Sequence, residues 1–172
     1  MASATKTSDR TFPTHIDVAP EKRAALIETL NQHLANTLDL YTQVKQAHWN
    51  VKGKDFYQLH LLFDEIAEEL EPFIDSLAER ATSLGGYANG TARMAAENSI
   101  LPEFPTGLVT GMDYVEALVE RFGLYVGLVR EASRDADEIG DPATADLYND
   151  INRVADKRLW FLEAHLQAGK GA

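Results

Sequence analysis

The chain contains no cysteine, and its 172 residues hold neither a long apolar run nor an excess of basic charge. Without cysteine it forms no disulfide and no thiolate metal site, which excludes the small disulfide-stabilised secreted domains. No apolar stretch approaches the roughly 18 residues that a membrane-spanning helix needs, and the first 20 residues lack the apolar segment of a secretory signal. We therefore expect a cytoplasmic protein with no membrane partner.

Acidic residues outnumber basic ones by 27 to 16, which gives a formal net charge of −11 at pH 7. Such a surface disfavours nucleic acid and anionic membranes, because both carry negative charge that a binding protein must neutralise. It leaves open a protein that gathers cations. The length, together with an apolar content of 45%, suits a single globular domain with a substantial core.

Apolar residues recur at steps of three and four along four long segments, which is typical of amphipathic helices. Asp55 and Gln58 have the spacing of a capping box at the start of the second segment. Pro72 lies inside that segment, and the pattern predicts that it bends the helix without ending it. Asp141 followed by Pro142 predicts an N-cap with proline at the first helical position. The predicted helices span about residues 20–50, 56–84, 111–139 and 142–167.

The segment between the second and third predicted helices, residues 85–111, holds five glycines and two prolines. That composition excludes one continuous helix, although residues 91–99 fit a short one. A long middle connection between two short ones lets the third helix run parallel to the second, as in ferritin-like bundles with one crossover. We predict an all-α, ferritin-like four-helix bundle over residues 20–168, preceded by a flexible arm at 1–19 and followed by a short tail at 169–172.

Ferritin-like bundles commonly hold two metal ions inside one subunit through Glu-x-x-His pairs, but no histidine here has a glutamate three residues before it. The second helix offers another arrangement. His60 and Asp64 are four residues apart, as are Asp75 and Glu79, and helical geometry puts both pairs on one stripe. The eleven residues from Asp64 to Asp75 climb about 16 Å, so one helix cannot bring both pairs to the same metal ion.

Two copies of this helix, antiparallel about a two-fold axis, would bring His60 and Asp64 of one subunit to Asp75 and Glu79 of the other. His48, just before the turn into the second helix, adds a further nitrogen ligand. A shell of imidazole and carboxylate suits Fe(II). The pattern thus favours an iron site between two subunits.

The spacing alone does not exclude simpler interpretations. A histidine and an aspartate four residues apart on an acidic helix more often form a solvated face or a local side-chain pair. Glu68 and Glu71 lie near the same stripe, so the ligand set stays open at this point.

Four stretches of the chain resemble the Dps family, the DNA-binding proteins from starved cells, which are small relatives of the ferritins. The similarity covers about residues 20–167 and rests on the motifs QAHWNVKG, DFYQLHLLFDE, IDSLAERATSLGG and DKRLWFLEAHL. It implies that His48, His60 and Asp64 of one subunit, with Asp75 and Glu79 of its two-fold mate, are the ferroxidase ligands.

The resemblance also implies a function. We expect a hollow homododecamer that binds Fe(II), oxidises it preferentially with hydrogen peroxide, stores the ferric mineral inside and so protects DNA. Trp49 would lie beside the iron centre, packing it or quenching radicals, unless it only packs at an interface. Asp141 and Asp146 resemble the residues that line three-fold pores for iron uptake; the alternative is an N-cap and an exposed first-turn charge.

The remaining aromatic and histidine residues have simpler expected roles. Trp160 and Phe161 are expected in the core or at subunit contacts. The three histidines without partners at useful spacing are expected to be surface or structural residues; they are His15, His33 and His165.

Two other functions compete with iron storage. One is a protein that chiefly coats DNA, at the nucleoid, with a secondary metal site; the other is a structural cage whose dimer sites hold zinc. The arm at 1–19 carries Lys6 and Arg10 against Asp9 and Asp17, for no net side-chain charge. Because phosphate neutralisation supplies most of the affinity for DNA, we expect weak DNA binding at most.

Overall fold

The computed structural model describes residues 10–167, which form five α-helices and, within that range, no strand. The predicted all-α class is confirmed, and a short helix lies inside the long connection as expected. In chain order the helices are α1 (Pro20–Asn50), α2 (Phe56–Ser83), α3 (Ala92–Asn98), α4 (Gly111–Ile139) and α5 (Pro142–Gln167).

The long helices form two hairpins, α1 with α2 and α4 with α5. Residues 84–110, called the crossover below, return the chain along the length of the bundle. Gly111, at the start of α4, lies against Leu59 near the start of α2. At the other end the Lys22 ammonium donates to the Ile139 carbonyl at 2.6 Å. The helix α4 therefore runs parallel to α2, as the crossover topology requires.

The core lies along the axis of the bundle, where the apolar stripes of the four long helices meet. The largest fully buried side chains are Leu30, Leu34, Leu40, Leu59, Phe63, Ile66, Leu70, Leu77, Leu84, Phe122, Tyr125 and Tyr148.

Among the described residues, no helix is both long enough and apolar enough to cross a membrane.

A buried arginine fastens the crossover to the bundle. The guanidinium of Arg121, only 4% exposed, donates to Gln43 Oε1 at 2.9 Å and to the Glu103 carbonyl at 2.6 Å. The Gln43 amide in turn donates to the Pro102 carbonyl at 3.2 Å. The Phe104 ring lies 5.4 Å from the guanidinium carbon. These bonds connect the Arg121 side chain, directly and through Gln43, to backbone oxygens of the crossover. They hold this segment on the bundle, although most of it is neither helix nor strand.

The predicted capping box at the start of α2 is wrong. Asp55 has φ −99° and ψ 17°, outside the extended region in which N-cap residues usually lie, and its side chain makes no capping hydrogen bond. The capping box lies instead at α4, where Thr110 has ψ 154° and exchanges hydrogen bonds with Asp113. The prediction for Pro72 is confirmed in one respect, because α2 continues past it to Ser83.

Residues 10–19 fall within the segment that we expected to be a mobile arm. The Phe12 N–H donates to the Gly85 carbonyl at 2.7 Å, and the Thr14 hydroxyl donates to the Ser83 carbonyl at 3.2 Å. Ile16 packs against the core. This part of the expected arm thus lies against the end of α2. Residues 1–9, like the expected tail at 169–172, are outside the described residues.

Candidate metal centre

Two histidines face each other across the turn between α1 and α2. The rings of His48 and His60 stack with their centroids 3.8 Å apart and their planes 18° from parallel. His48 Nδ1 lies 2.8 Å from the His60 carbonyl, and His60 Nδ1 lies 2.9 Å from the His48 carbonyl. A carbonyl only accepts, so each Nδ1 carries the proton and donates it. In the neutral imidazole each Nε2 then keeps its lone pair, which is the tautomer that a metal ligand needs.

Packing fixes the planes of these rings. His48 is 9% exposed, and the Phe56 ring stacks near His60 with a centroid distance of 5.1 Å. The short loop at residues 51–55 folds α2 back onto α1. This brings His48 and His60, which are twelve positions apart in the sequence, into contact. The imidazoles are therefore held in orientation before any ligand binds.

Asp64 follows His60 by one helical turn, and its carboxylate lies beside the histidine pair. Its Oδ1 lies 3.8 Å from His48 Nε2 and 2.6 Å from the Lys45 ammonium. The hydrogen bond from Lys45 is the chief cause that lowers the pKa of Asp64; burial opposes it, and the charge of Lys45 adds to it. The carboxylate is thus ionised and already paired with a cation.

Lys45 is the functional neighbour that sequence reasoning missed. The signal was present, since Lys45 precedes His48 by three residues and so lies on the same face of α1. A lysine at this spacing from a candidate ligand is easily taken for an ordinary surface charge. Only the fold-back of α2 shows that its ammonium reaches Asp64.

The second predicted pair, Asp75 and Glu79, lies farther along α2 with both residues exposed. Eleven residues of helix separate Asp64 from Asp75, about 16 Å along the axis. Asp75 lines a groove of about 410 Å³ between α1 and α2, with Leu38 and Tyr41 among its walls. In the described part of the chain, no three His, Asp or Glu side chains come together closely enough to share a metal ion.

Exposed apolar side chains surround the histidine pair. Trp49, predicted to lie beside the centre, is adjacent to His48 in sequence and is 66% exposed. The other large apolar residues of this region with more than two-fifths of their surface exposed are Phe56, Tyr57 and Leu61. Grouped exposure of this kind is typical of protein–protein contact surfaces.

Of the two aspartates considered for a pore, Asp141 is buried and Asp146 is exposed. Asp141 accepts hydrogen bonds from Arg80 Nη2 at 2.8 and 2.6 Å and from the Thr144 hydroxyl at 2.6 Å. Burial opposes the ionisation of Asp141, but the bonds from Thr144 and Arg80 together lower its pKa. Asp141 directly precedes the first residue of α5, and its carbonyl accepts from the Ala145 N–H at 3.1 Å, so it occupies the N-cap position that the alternative interpretation expected.

The other predicted positions are spread over the subunit. His15 and His165 are exposed, and His33 is buried at 5% exposure. Trp160 is 60% exposed, so it is not a core residue, and its ring lies edge-on to the half-buried Phe161 at 5.0 Å. A subunit contact remains open for both aromatic residues.

Known proteins match this fold and sequence over nearly the whole chain. The family described as ferritin-like domain matches residues 27–172. The DNA protection during starvation protein of Agrobacterium fabrum is 40% identical over 158 residues, which cover 92% of this chain and 98% of that protein. DpsC from Streptomyces coelicolor has a TM-score of 0.88 at 31% identity, over 96% of each chain. Dps from Vibrio cholerae O1, described as a member of a broad superfamily of ferritin-like diiron-carboxylate proteins, has a TM-score of 0.83 at 30% identity, over 92% of this chain and 99% of that one.

Together the bundle, its crossover and these matches define a ferritin-like protein. Within that class the chain belongs to the Dps family, the DNA protection during starvation proteins. The family resemblance stated from the sequence motifs is confirmed.

Proposed function

We propose that this protein is a ferroxidase and iron store of the Dps type, which takes Fe(II) as its substrate. The observation that carries the proposal is the stacked pair of His48 and His60, each with its Nδ1 bonded to a carbonyl, and the ionised Asp64 carboxylate 3.8 Å from His48 Nε2. Imidazole and carboxylate together suit Fe(II), and carboxylate favours the harder Fe(III) product. The diiron-carboxylate description of the Vibrio relative supports the same class of chemistry.

The site is complete only between two subunits in this proposal. Asp75 and Glu79 lie about 16 Å up the same helix stripe, too far to join the first three ligands. A two-fold axis that sets two α2 helices antiparallel brings each ligand pair to the other and makes two equal sites. The exposed apolar residues around the histidines and the groove beside Asp75 supply surfaces for such a dimer. Six dimers would form the hollow dodecamer in which the ferric mineral is stored.

The proposed reaction couples two one-electron oxidations to one two-electron reduction. Two Fe(II) become two Fe(III), while one hydrogen peroxide takes up two electrons and two protons to give two waters. Because both oxidising equivalents are used together, no hydroxyl radical is released, and this is how the protein would protect DNA in the cytoplasm. Exposed Asp146 remains the candidate for an iron-uptake route, since the Asp141 carboxylate is already bonded to Arg80 and Thr144.

The test measures Fe(II) oxidation and peroxide consumption together, with oxygen excluded. We expect two Fe(II) oxidised per peroxide and a soluble ferric product with the unaltered protein. The double variant His60→Ala, Asp64→Ala should lose most of the rate, while Glu68→Ala, which removes an exposed carboxylate from the same helix, should keep it. Unchanged kinetics in the double variant would overturn the site assignment.

Zinc is the second candidate for the same ligands, because neutral imidazole and carboxylate bind Zn²⁺ as well as iron. Metal analysis of protein purified without added metal, followed by competition with Fe(II), distinguishes the two. Zinc that Fe(II) fails to displace would favour the structural-cage function.

A further inference from the structure

The bundle interior holds a polar cluster that the candidate metal centre does not use. It consists of His33 and Thr37 from α1, Tyr125 from α4, and Tyr148 and Asn152 from α5, none of them more than 9% exposed. The His33 and Tyr148 rings meet edge-on with their centroids 5.1 Å apart. This contact joins α1 to α5, which belong to different hairpins.

One part of the cluster has its hydrogen bonds complete. The Thr37 hydroxyl donates to the His33 carbonyl at 2.7 Å. The Tyr125 hydroxyl lies 2.8 Å from Thr37 Oγ1 and must donate to it, since the threonine proton is already used. The hydroxyl groups of Tyr125 and Thr37 therefore need no further hydrogen-bond partner.

The other part does not have its hydrogen bonds complete. His33 Nδ1, the Tyr148 hydroxyl and Asn152 Oδ1 are buried and have no hydrogen-bond partner among residues 10–167. Asn152 follows Tyr148 by one helical turn and so lies on the same side of α5, while His33 packs on the Tyr148 ring. Native proteins pair nearly all buried polar atoms with protein groups or ordered water. Three such atoms on neighbouring side chains point to a shared ligand.

The chemistry of these atoms selects an uncharged ligand. Burial lowers the pKa of His33 to about 4 and raises the pKa of Tyr148, so both groups are neutral at pH 7, as is the Asn152 amide. The cluster contains no carboxylate to balance a dication, and an unpaired charge is costly in a protein interior. A water molecule, in contrast, both donates and accepts, and buried waters typically bond to about three protein atoms.

We propose that this cluster is a buried binding site for an ordered water molecule, held by His33 Nδ1, the Tyr148 hydroxyl and Asn152 Oδ1. The water joins the side chains of His33, Tyr148 and Asn152, while the main-chain carbonyl of His33 accepts the hydrogen bond from Thr37. Residue 33 thus belongs to both hydrogen-bonded groups, which together involve three of the four long helices.

Two matched variants test the proposal, because each removes one hydroxyl from a fully buried tyrosine. Tyr125→Phe removes a hydroxyl with a protein partner and should lower the unfolding midpoint by about 2–4 °C. Tyr148→Phe should lower it by a similar amount if the hydroxyl bonds to the water. If the Tyr148 hydroxyl is unpaired, its removal leaves the midpoint unchanged or raises it, and the proposal is overturned. All measurements use the assembled protein at one concentration.

A high-resolution crystal structure of the unaltered protein tests the same point directly. The expected result is a density peak at hydrogen-bond distance, about 2.7–3.2 Å, from at least two of the three atoms. A crystal soaked in zinc and measured near the zinc absorption edge should show no anomalous signal there. Absence of the density peak, or a metal signal in its place, overturns the proposal.

Discussion

At the residue scale, Lys45 competes with any cation for Asp64. Its ammonium lies 2.6 Å from the carboxylate, so a metal ion that uses Asp64 must displace it and then bind beside a positive charge. Replacing Lys45 with methionine keeps much of the side-chain volume and removes both the competition for Asp64 and the repulsion between the ammonium and the metal ion. We expect Lys45→Met to tighten Zn²⁺ binding at this site by roughly fivefold, about 1 kcal/mol, as measured by calorimetric titration.

A matched variant in the neighbouring turn serves as the control. Lys52→Met removes an exposed lysine whose ammonium, within residues 10–167, bonds only to the Asn50 carbonyl, and it should leave the affinity unchanged. Weaker binding in Lys45→Met would show that the lysine positions Asp64 instead of competing for it.

A second prediction at this scale concerns acid stability. Burial lowers the pKa of His33 to about 4, from an ordinary value of 6.5, so the unfolded chain takes up the proton first. Stability is fully present above pH 6.5 and falls with pH until about pH 4, by roughly 3 kcal/mol from this group. Denaturant titrations between pH 4 and 8 should show this loss in the unaltered protein. The loss should be smaller in His33→Gln, and equal slopes in the two proteins would contradict the prediction.

At the scale of secondary-structure elements, most helix boundaries were predictable and one cap was not. The 3.6-residue periodicity and the glycines located α1, α2, α4 and α5, because both signals are local. Asp55 failed as a cap because, in the tight turn after α1, its backbone lacks the extended conformation usual for an N-cap. The effect comes from the packing of α1 on α2, which residue spacing does not report.

The candidate site was likewise predictable from residue spacing only where the packing of one helix on another plays no part. The stripe that holds His60, Asp64, Asp75 and Glu79 follows from helical arithmetic alone. The reciprocal bonds of the two histidines and the approach of Lys45 depend on how far α2 folds back. The position of His33 is a similar case, since an isolated histidine in a sequence gives no sign of burial in the bundle centre.

The crossover gives a testable prediction for a single element. Arg121→Met removes the bonds to Gln43 and to the Glu103 carbonyl and leaves the buried Gln43 Oε1 without its donor. We expect a loss of about 3 kcal/mol in unfolding free energy and faster protease cleavage within residues 99–110. Arg130→Met is the control, because its ion pair with Asp156 is half exposed and should contribute less than about 1 kcal/mol. Equal losses in both variants would contradict a clamping role for Arg121.

At the scale of the whole molecule, the proposed two-fold site predicts complementation between inactive variants. Protein with His60→Ala and Asp64→Ala lacks one half of each site, and protein with Asp75→Ala and Glu79→Ala lacks the other. A mixed dimer contains one site with both halves intact and one with neither. Subunits of the two variants, dissociated and reassembled together, should regain ferroxidase activity in proportion to the mixed dimers. Failure of a correctly assembled mixture to regain activity would argue against a shared site.

DNA binding is also a property of the assembled particle. Several basic side chains of the subunit are already paired with carboxylates, including those of Arg80, Arg130 and Arg158. We therefore expect a gel-shift titration to show DNA retardation only at low salt, with avidity from several subunits supplying the affinity. Retardation that persists at physiological salt would favour the DNA-coating function.

The paired histidine–carbonyl bonds have a consequence for how the chain holds itself together. Two hydrogen bonds join residues 48 and 60 and close the loop between them. A disulfide between two cysteines at such positions would close the loop in the same way. Unlike a disulfide, this staple needs no oxidation and is indifferent to the redox state of the cell. It is sensitive to shear between the first two helices, since each ring bonds to the backbone of the other residue. If the protein uses peroxide as proposed, its cysteine-free chain has a cross-link whose formation needs no oxidation.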